Sequence, residues 1–136
     1  MADYRETVDY ILGIPLFAQK IGKENLSSLL CRLGNPEKAI PAVHVAGTNG
    51  KGSTCRALAQ MLTGMGYRVG LFTSPHLVSI NERIQIDGEN ISDADFVWAF
   101  ETVKEKFTQH PSFFEVMFAM AAVYFREKKC DFVVYE

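Results

Sequence analysis

Apolar residues along this chain alternate between helical and strand-like spacing, with clear punctuation between the runs. Tyr4, Val8, Ile11 and Leu12 fall on one face of a helix that Asp3 can cap and that Gly13-Ile14-Pro15 ends. Leu26, Leu29, Leu30 and Leu33 repeat at helical spacing up to Gly34-Asn35-Pro36, a strong stop. The run Val43-His44-Val45-Ala46 predicts a strand. Ala57, Leu58, Met61, Leu62 and Met65 then predict a helix of period 3.6, and Tyr67–Phe72, beyond Gly66, predicts a second strand, completing a βαβ pattern. Residues Arg83–Ile91 read as a short hairpin turning at Asp87-Gly88. Ser92 caps a helix with Phe96, Phe100, Val103 and Phe107 on its buried side, and another helix begins near Ser112 and carries Val116, Met117, Met120, Ala121 and Tyr124. The continuous apolar run Phe132-Val133-Val134-Tyr135 suits a parallel-sheet strand covered on both faces. The pattern as a whole predicts an α/β fold, a mostly parallel sheet flanked by helices.

The bulk properties narrow the choice of chemistry. The chain has 136 residues, the length of one domain, and a formal net charge of −2, which argues against a general nucleic-acid or membrane surface. Any affinity for phosphate must therefore be local. Cys31, Cys55 and Cys130 are widely spaced and lack a CxxC pattern, so neither a disulfide framework nor a zinc site is suggested. The charged start Met1-Ala2-Asp3-Tyr4-Arg5-Glu6 is unlike a secretion signal, and no stretch approaches about 18 apolar residues. A soluble, cytoplasmic protein is expected.

The strongest local signal is the turn Gly47-Thr48-Asn49-Gly50-Lys51-Gly52-Ser53, set between a strand and a helix. Glycines let several backbone N–H groups converge, the helix adds its unsatisfied donors and positive dipole end, and Lys51 adds a full charge for the outer phosphates of a nucleotide. Taken alone, Gly-Lys-Gly would be no more than a turn; the flanking strand and helix make it a phosphate cradle. The match to the general P-loop is imperfect. Gly52 follows Lys51 where the magnesium-binding hydroxyl belongs, and Ser53 is one helical step further on, rotated by roughly 100°. Another group must complete the metal site. Ser74 is placed for this at the carboxyl end of the second strand, although Ser74-Pro75 is also an ordinary turn former. Glu136, an acid at the end of a buried strand beside a P-loop, has the Walker-B arrangement, whereas Asp131 lies at the wrong end of that strand and reads as a turn or cap residue. Ser112 and Glu115 form a capping box, which needs no ligand. His76 is ambiguous, and His44 and His110 read as structural.

The variant Gly-Thr-Asn-Gly-Lys-Gly-Ser after His44-Val45-Ala46 resembles the folylpolyglutamate synthase and dihydrofolate synthase family, relatives of the Mur cell-wall ligases. The likeness extends to Leu33-Gly34-Asn35-Pro36, Thr73-Ser74-Pro75-His76-Leu77, Asn81-Glu82-Arg83-Ile84, Ser112-Phe113-Phe114-Glu115 and Asp131–Glu136, in the family's order. The resemblance implies that residues 1–136 are the N-terminal part of the ATP-binding domain. The rest of that domain and a C-terminal glutamate-binding domain would lie in a longer parent. It also implies an ATP-dependent amide ligase in which a folate or dihydropteroate carboxylate takes the γ-phosphoryl group and the amine of glutamate then displaces phosphate. ATP and Mg²⁺ are the implied cofactors, Ser74 and Glu136 the implied magnesium contacts, and Ser112 and Phe114 the residues near the pterin. The family usually has threonine in place of Ser112, and an aromatic residue at a helix start, such as Phe114, can equally belong to the core. A Mur-type peptide ligase is a rival, disfavoured because those enzymes usually carry threonine directly after the lysine. A nucleotide-binding module without ligase chemistry is another.

Overall fold

The computed structural model describes residues 3–14, 23–45 and 51–136, and of Lys23, Lys51 and Gly52 the backbone alone. Its helices are α1 (Tyr4–Leu12), α2 (Lys23–Arg32), α3 (Lys51–Gly64), α4 (Asp93–Lys104) and α5 (Phe113–Glu127). Its strands are β1 (Ala42–His44), β2 (Val69–Phe72), β3 (Ile84–Ile86), β4 (Glu89–Asn90) and β5 (Phe132–Tyr135). The chain divides into two compact units, Met1–Glu37 with Asp93–Tyr124, and Lys38–Ser92 with Phe125–Glu136.

The second unit holds a sheet of order β1-β5-β2-β3-β4. Here β5 runs parallel to both β1 and β2, while β3 and β4 form an antiparallel hairpin on the outer side of β2. The sheet is thus mixed, more evenly so than the expected mostly parallel arrangement, because the Asp87-Gly88 hairpin folds back onto β2. That turn needs left-handed backbone, and Asp87 (φ 51°) and Gly88 (φ 82°) supply it. Asp87 also accepts the Val69 amide at 2.8 Å, fastening the turn to the start of β2. β2 begins at Val69 and not at Tyr67. The Arg68 amide is already bonded to the Asp131 carboxylate, as a turn residue should be, and Tyr67 is exposed. Val133, Val134 and Tyr135 of β5 are buried, as its unbroken apolar run predicts. β1 departs from expectation. All its residues are exposed because, among the described residues, it is a sheet edge with β5 as its one partner.

Helix α3 packs on this sheet, with Cys55, Ala59, Val69, Leu71 and Val134 forming the core and Leu58 and Leu62 beside them. The apolar pattern predicts this helix correctly, and residues 55, 58, 59 and 62 make its buried stripe, which includes Leu58 and Leu62 of that pattern. Ala57, Met61 and Met65 lie one helical step, about 100°, to the side and face solvent. Gly70 of β2 leaves room for the Phe125 ring, from which an added Cβ would stand only 2.6 Å.

In the first unit Asp3 caps α1 through the Glu6 amide at 2.8 Å. Helix α2 gives way to a left-handed turn at Gly34 (φ 85°) and Asn35 (φ 53°), as the stop signal predicts. α1 packs on α4, with Tyr4 edge-on to Phe96 and Tyr10 tilted against Phe100. Phe96, Phe100 and Val103 are buried, but α4 ends at Lys104, before Phe107. α5 is buried on more than one side. Ala119, Ala122 and Val123 join the expected Val116, Met117, Met120, Ala121 and Tyr124, as fits a helix that is apolar nearly all round. Among the described residues no helix is long and apolar enough to cross a membrane.

Candidate functional site

The carboxyl ends of the three parallel strands lie side by side, and in open α/β sheets that is where ligands bind. The backbone bonds fix their register. The Val45 amide donates to the Tyr135 carbonyl at 2.9 Å, so the end of β1 lies against the end of β5. The Glu136 amide donates to the Phe72 carbonyl, also at 2.9 Å, joining the end of β5 to the end of β2. Thr73 donates to the Arg83 carbonyl at 3.0 Å, which extends the row by one residue onto the hairpin side.

Ser74 and Glu136 meet in this row. Glu136 Oε1 accepts from the Ser74 amide at 3.1 Å and from Ser74 Oγ at 3.3 Å. Two residues 62 positions apart are brought into contact because β2 and β5 are neighbours and both run toward the same edge. Both supply oxygen, the donor type that a hard cation such as magnesium prefers. Among the described residues no group of three or more His, Cys, Asp and Glu could hold a metal ion.

Of the predicted cradle, Gly47, Thr48, Asn49 and Gly50 lie outside the described residues. α3 begins at Lys51, and Ser53 is exposed in its first turn. The cradle segment is bracketed on both sides, since Val45 lies beside Tyr135 at the site's edge and a helix N-terminus follows.

Two further groups at this corner were not assigned a role in the sequence. Glu82 accepts the amides of Leu77 (2.9 Å), Val78 (2.9 Å) and Ser79 (2.8 Å), a backbone nest that holds its carboxyl below the ordinary glutamate range, the Leu77 amide contributing most. Ser79 returns the favour at the start of the 3-10 turn Ile80–Arg83, closing a capping box whose Ser-x-x-Glu signature is legible in the sequence. Leu77 and Val78, each 91% exposed, are thereby carried on a loop with a fixed base. Arg83, half-buried, donates from Nε to His76 Nδ1 at 2.8 Å. Burial lowers the pKa of His76, and Arg83 lowers it further. Burial also lowers that of Arg83, while the Glu136 carboxylate opposes the shift.

Ser112 and Phe114 belong to the other unit. The capping box is real: the Ser112 amide donates to Glu115 at 2.9 Å and the Glu115 amide to Ser112 Oγ at 3.2 Å. Phe114, however, is 54% exposed, which leaves its ring on the surface, stacked against Phe118. His110, read as structural, bonds the Tyr10 hydroxyl and the Pro111 carbonyl, and His44 stacks on Tyr135.

Comparison with known proteins yields one consistent answer. No protein-family profile matches the chain. It is 43% identical to the dihydrofolate synthase/folylpolyglutamate synthase of Bacillus subtilis, over 98% of this chain and 33% of that protein. The folylpolyglutamate synthase of Thermotoga maritima superposes with a TM-score of 0.91 at 41% identity, covering 98% of this chain and 32% of that one. A folylpolyglutamate synthase complex with AMPPCP and folate gives a TM-score of 0.92 at 39% identity, covering 98% and 34%. The chain thus spans about a third of the length of the relatives it matches.

Proposed function

Since the chain belongs to the folylpolyglutamate synthase and dihydrofolate synthase family, we propose that the full-length protein is an ATP-dependent ligase joining glutamate to a folate or dihydropteroate carboxylate. Residues 1–136 would form the N-terminal part of its ATP-binding domain. The observation that carries this reading is the Ser74–Glu136 contact at the carboxyl ends of β2 and β5, next to the strand that leads into the glycine-rich turn. An acid and a hydroxyl at that place are what a P-loop lacking its own hydroxyl needs.

The roles follow from the chemistry. A carboxylate is a poor electrophile, and transfer of the γ-phosphoryl group gives an acyl phosphate that the amine of glutamate can attack, with phosphate leaving. Backbone amides from Gly47 to Ser53 would cradle the phosphates of ATP, and Lys51 would compensate the charge that grows on the γ-phosphoryl oxygens during transfer. Ser74 and Glu136 would hold magnesium, which when bound neutralises phosphate charge. Ser112 and Phe114 would lie near the pterin, the exposed Phe114 ring offering a flat face for stacking. The substrates are small molecules, and the compartment expected for such an enzyme is the cytoplasm.

The test is to supply the full-length protein with ATP, magnesium, glutamate and either dihydropteroate or a folate. Phosphate release and amide product should require both carboxylate and amine. Lys51→Ala should lower the rate on the order of 10²-fold or more. Phosphate release indifferent to the carboxylate acceptor, or a wild-type rate from Lys51→Ala, would refute the reading. Reaction with a nucleotide-linked peptide in place of folate would transfer the protein to the cell-wall branch.

A further inference from the structure

The hydrogen bond between Arg83 and His76 has no part in the mechanism just described, yet His76 is two positions beyond Ser74 and Arg83 lies opposite Thr73, the residue before it. Arg83 faces Thr73 across the β2–β3 pair, its carbonyl accepting the Thr73 amide at 3.0 Å. Thr73 precedes Ser74, whose amide and hydroxyl meet Glu136. The Arg83 backbone is therefore anchored at the corner, and its side chain is fixed beside it by the bond to His76.

An arginine is a poor directional group unless something fixes its plane. The side chain has many rotamers, but the guanidinium is planar, so one bond at Nε sets both the plane and the direction of the outer nitrogens. His76 provides that bond at 2.8 Å. For Nδ1 to accept, the ring must be neutral with its proton on Nε2. The backbone on either side is also held. His76 lies between Ser74, tied to Glu136, and Leu77–Ser79, tied to Glu82. The histidine is thus a rigid bracket.

We propose that His76 is a positioning residue that acts through Arg83: its Nδ1 holds the guanidinium at the Ser74–Glu136 corner, where the arginine engages an oxyanion of the ligand. The oxyanion is either the terminal phosphate of the nucleotide or the carboxylate that is to be activated. This inference rests on the ligase reading above.

The experiment is a mutant cycle in the full-length protein, read as kcat and as KM for each substrate separately. His76→Leu, which fills the space but accepts nothing, should lower kcat/KM about tenfold. His76→Asn, whose side-chain oxygen can stand near the position of Nδ1, should restore it to within about threefold. Arg83→Lys keeps the charge but has no Nε fork, so adding His76→Leu to it should cost nothing further. A rise in KM for ATP alone would place the oxyanion on the nucleotide, and a rise in KM for the folate alone would place it on the acceptor. Wild-type kinetics for His76→Leu, failure of His76→Asn to rescue, or losses that simply add in the double variant would each overturn the proposal. Should the wild type fail to ligate glutamate, the functional reading falls. The same cycle, read as affinity for magnesium and AMPPCP, then decides the inference: equal affinities across the set refute it, and a coupled loss supports it at the nucleotide.

Discussion

At the scale of single residues, a strand-end glutamate and a strand-end serine are unequal ligands even when they touch. As the proposed magnesium ligands, Glu136 would bring a carboxylate to the cation, while Ser74 would bring a neutral oxygen that water can replace. Glu136→Gln should therefore raise the magnesium concentration needed for half-maximal activity of the full-length protein more than Ser74→Ala does. Equal metal titrations for both variants and the wild type would remove them from the metal site. The cysteines allow a test that does not depend on activity. Burial pushes the Cys130 thiol up to about 12, whereas Cys31 is exposed. At pH 8 the reactive thiolate of Cys130 would be roughly one part in ten thousand. Iodoacetamide should label Cys31 in the native protein and reach Cys130 only after denaturation, as peptide mass mapping would reveal. Rapid native labelling of Cys130 would contradict its burial.

At the scale of elements, close packing and caps account for positions that carry no chemistry. Gly70 on β2 lies under the Phe125 ring, which is fully buried, so an added methyl has no space to move into. Gly70→Ala should destabilise the protein by about 1–3 kcal/mol. In a Phe125→Leu background much of that penalty should vanish, and thermal melts of the four proteins measure it. Ser112 offers a second case, since its capping bonds exist whether or not a pterin binds nearby. Ser112→Ala should cost about 1 kcal/mol of stability, and Ser112→Thr, which keeps the hydroxyl, should cost little. If Ser112→Thr retains both stability and KM for the folate while Ser112→Ala loses both, the cap alone explains the residue. A KM effect of Ser112→Ala exceeding what its stability loss explains would point to a contact with ligand. Glu82 belongs here as well. Its carboxyl is held below the ordinary range, so the nest at Leu77–Ser79 is formed above that range and is lost as pH falls through the lowered value.

At the scale of the molecule, the chain corresponds to about a third of its relatives, and ligation requires ATP, a carboxylate and an amine to be held together. The 136-residue chain by itself should form no amide product from ATP, magnesium, glutamate and a folate or dihydropteroate, while the full-length protein should. Product from the chain alone would mean that the whole active site lies within these residues. Both edge strands of the sheet are exposed among the described residues, and β1 carries the apolar Val43 at 41%.

Most of what was legible in the sequence is local. Caps and stops at Asp3, Gly34-Asn35 and Ser112, the turn at Asp87-Gly88 and the buried run of β5 all follow from short-range rules, because a missing N–H partner, a positive φ or an unbroken apolar run is decided within a few residues. Periodicity gave α3 as a helix but did not say which of its apolar positions are buried, since positions on neighbouring faces are equivalent until a sheet is laid against one of them. For the same reason the run at β1 did not reveal that it would lie at an edge. The sequence named Ser74 and Glu136 separately, each from its place at a strand end. Their contact, and the bond that joins His76 to Arg83, exist because β5 inserts between β1 and β2 and the hairpin folds back beside β2. Strand order is set by which long-range pairing buries the most apolar surface, and no window of sequence contains that information.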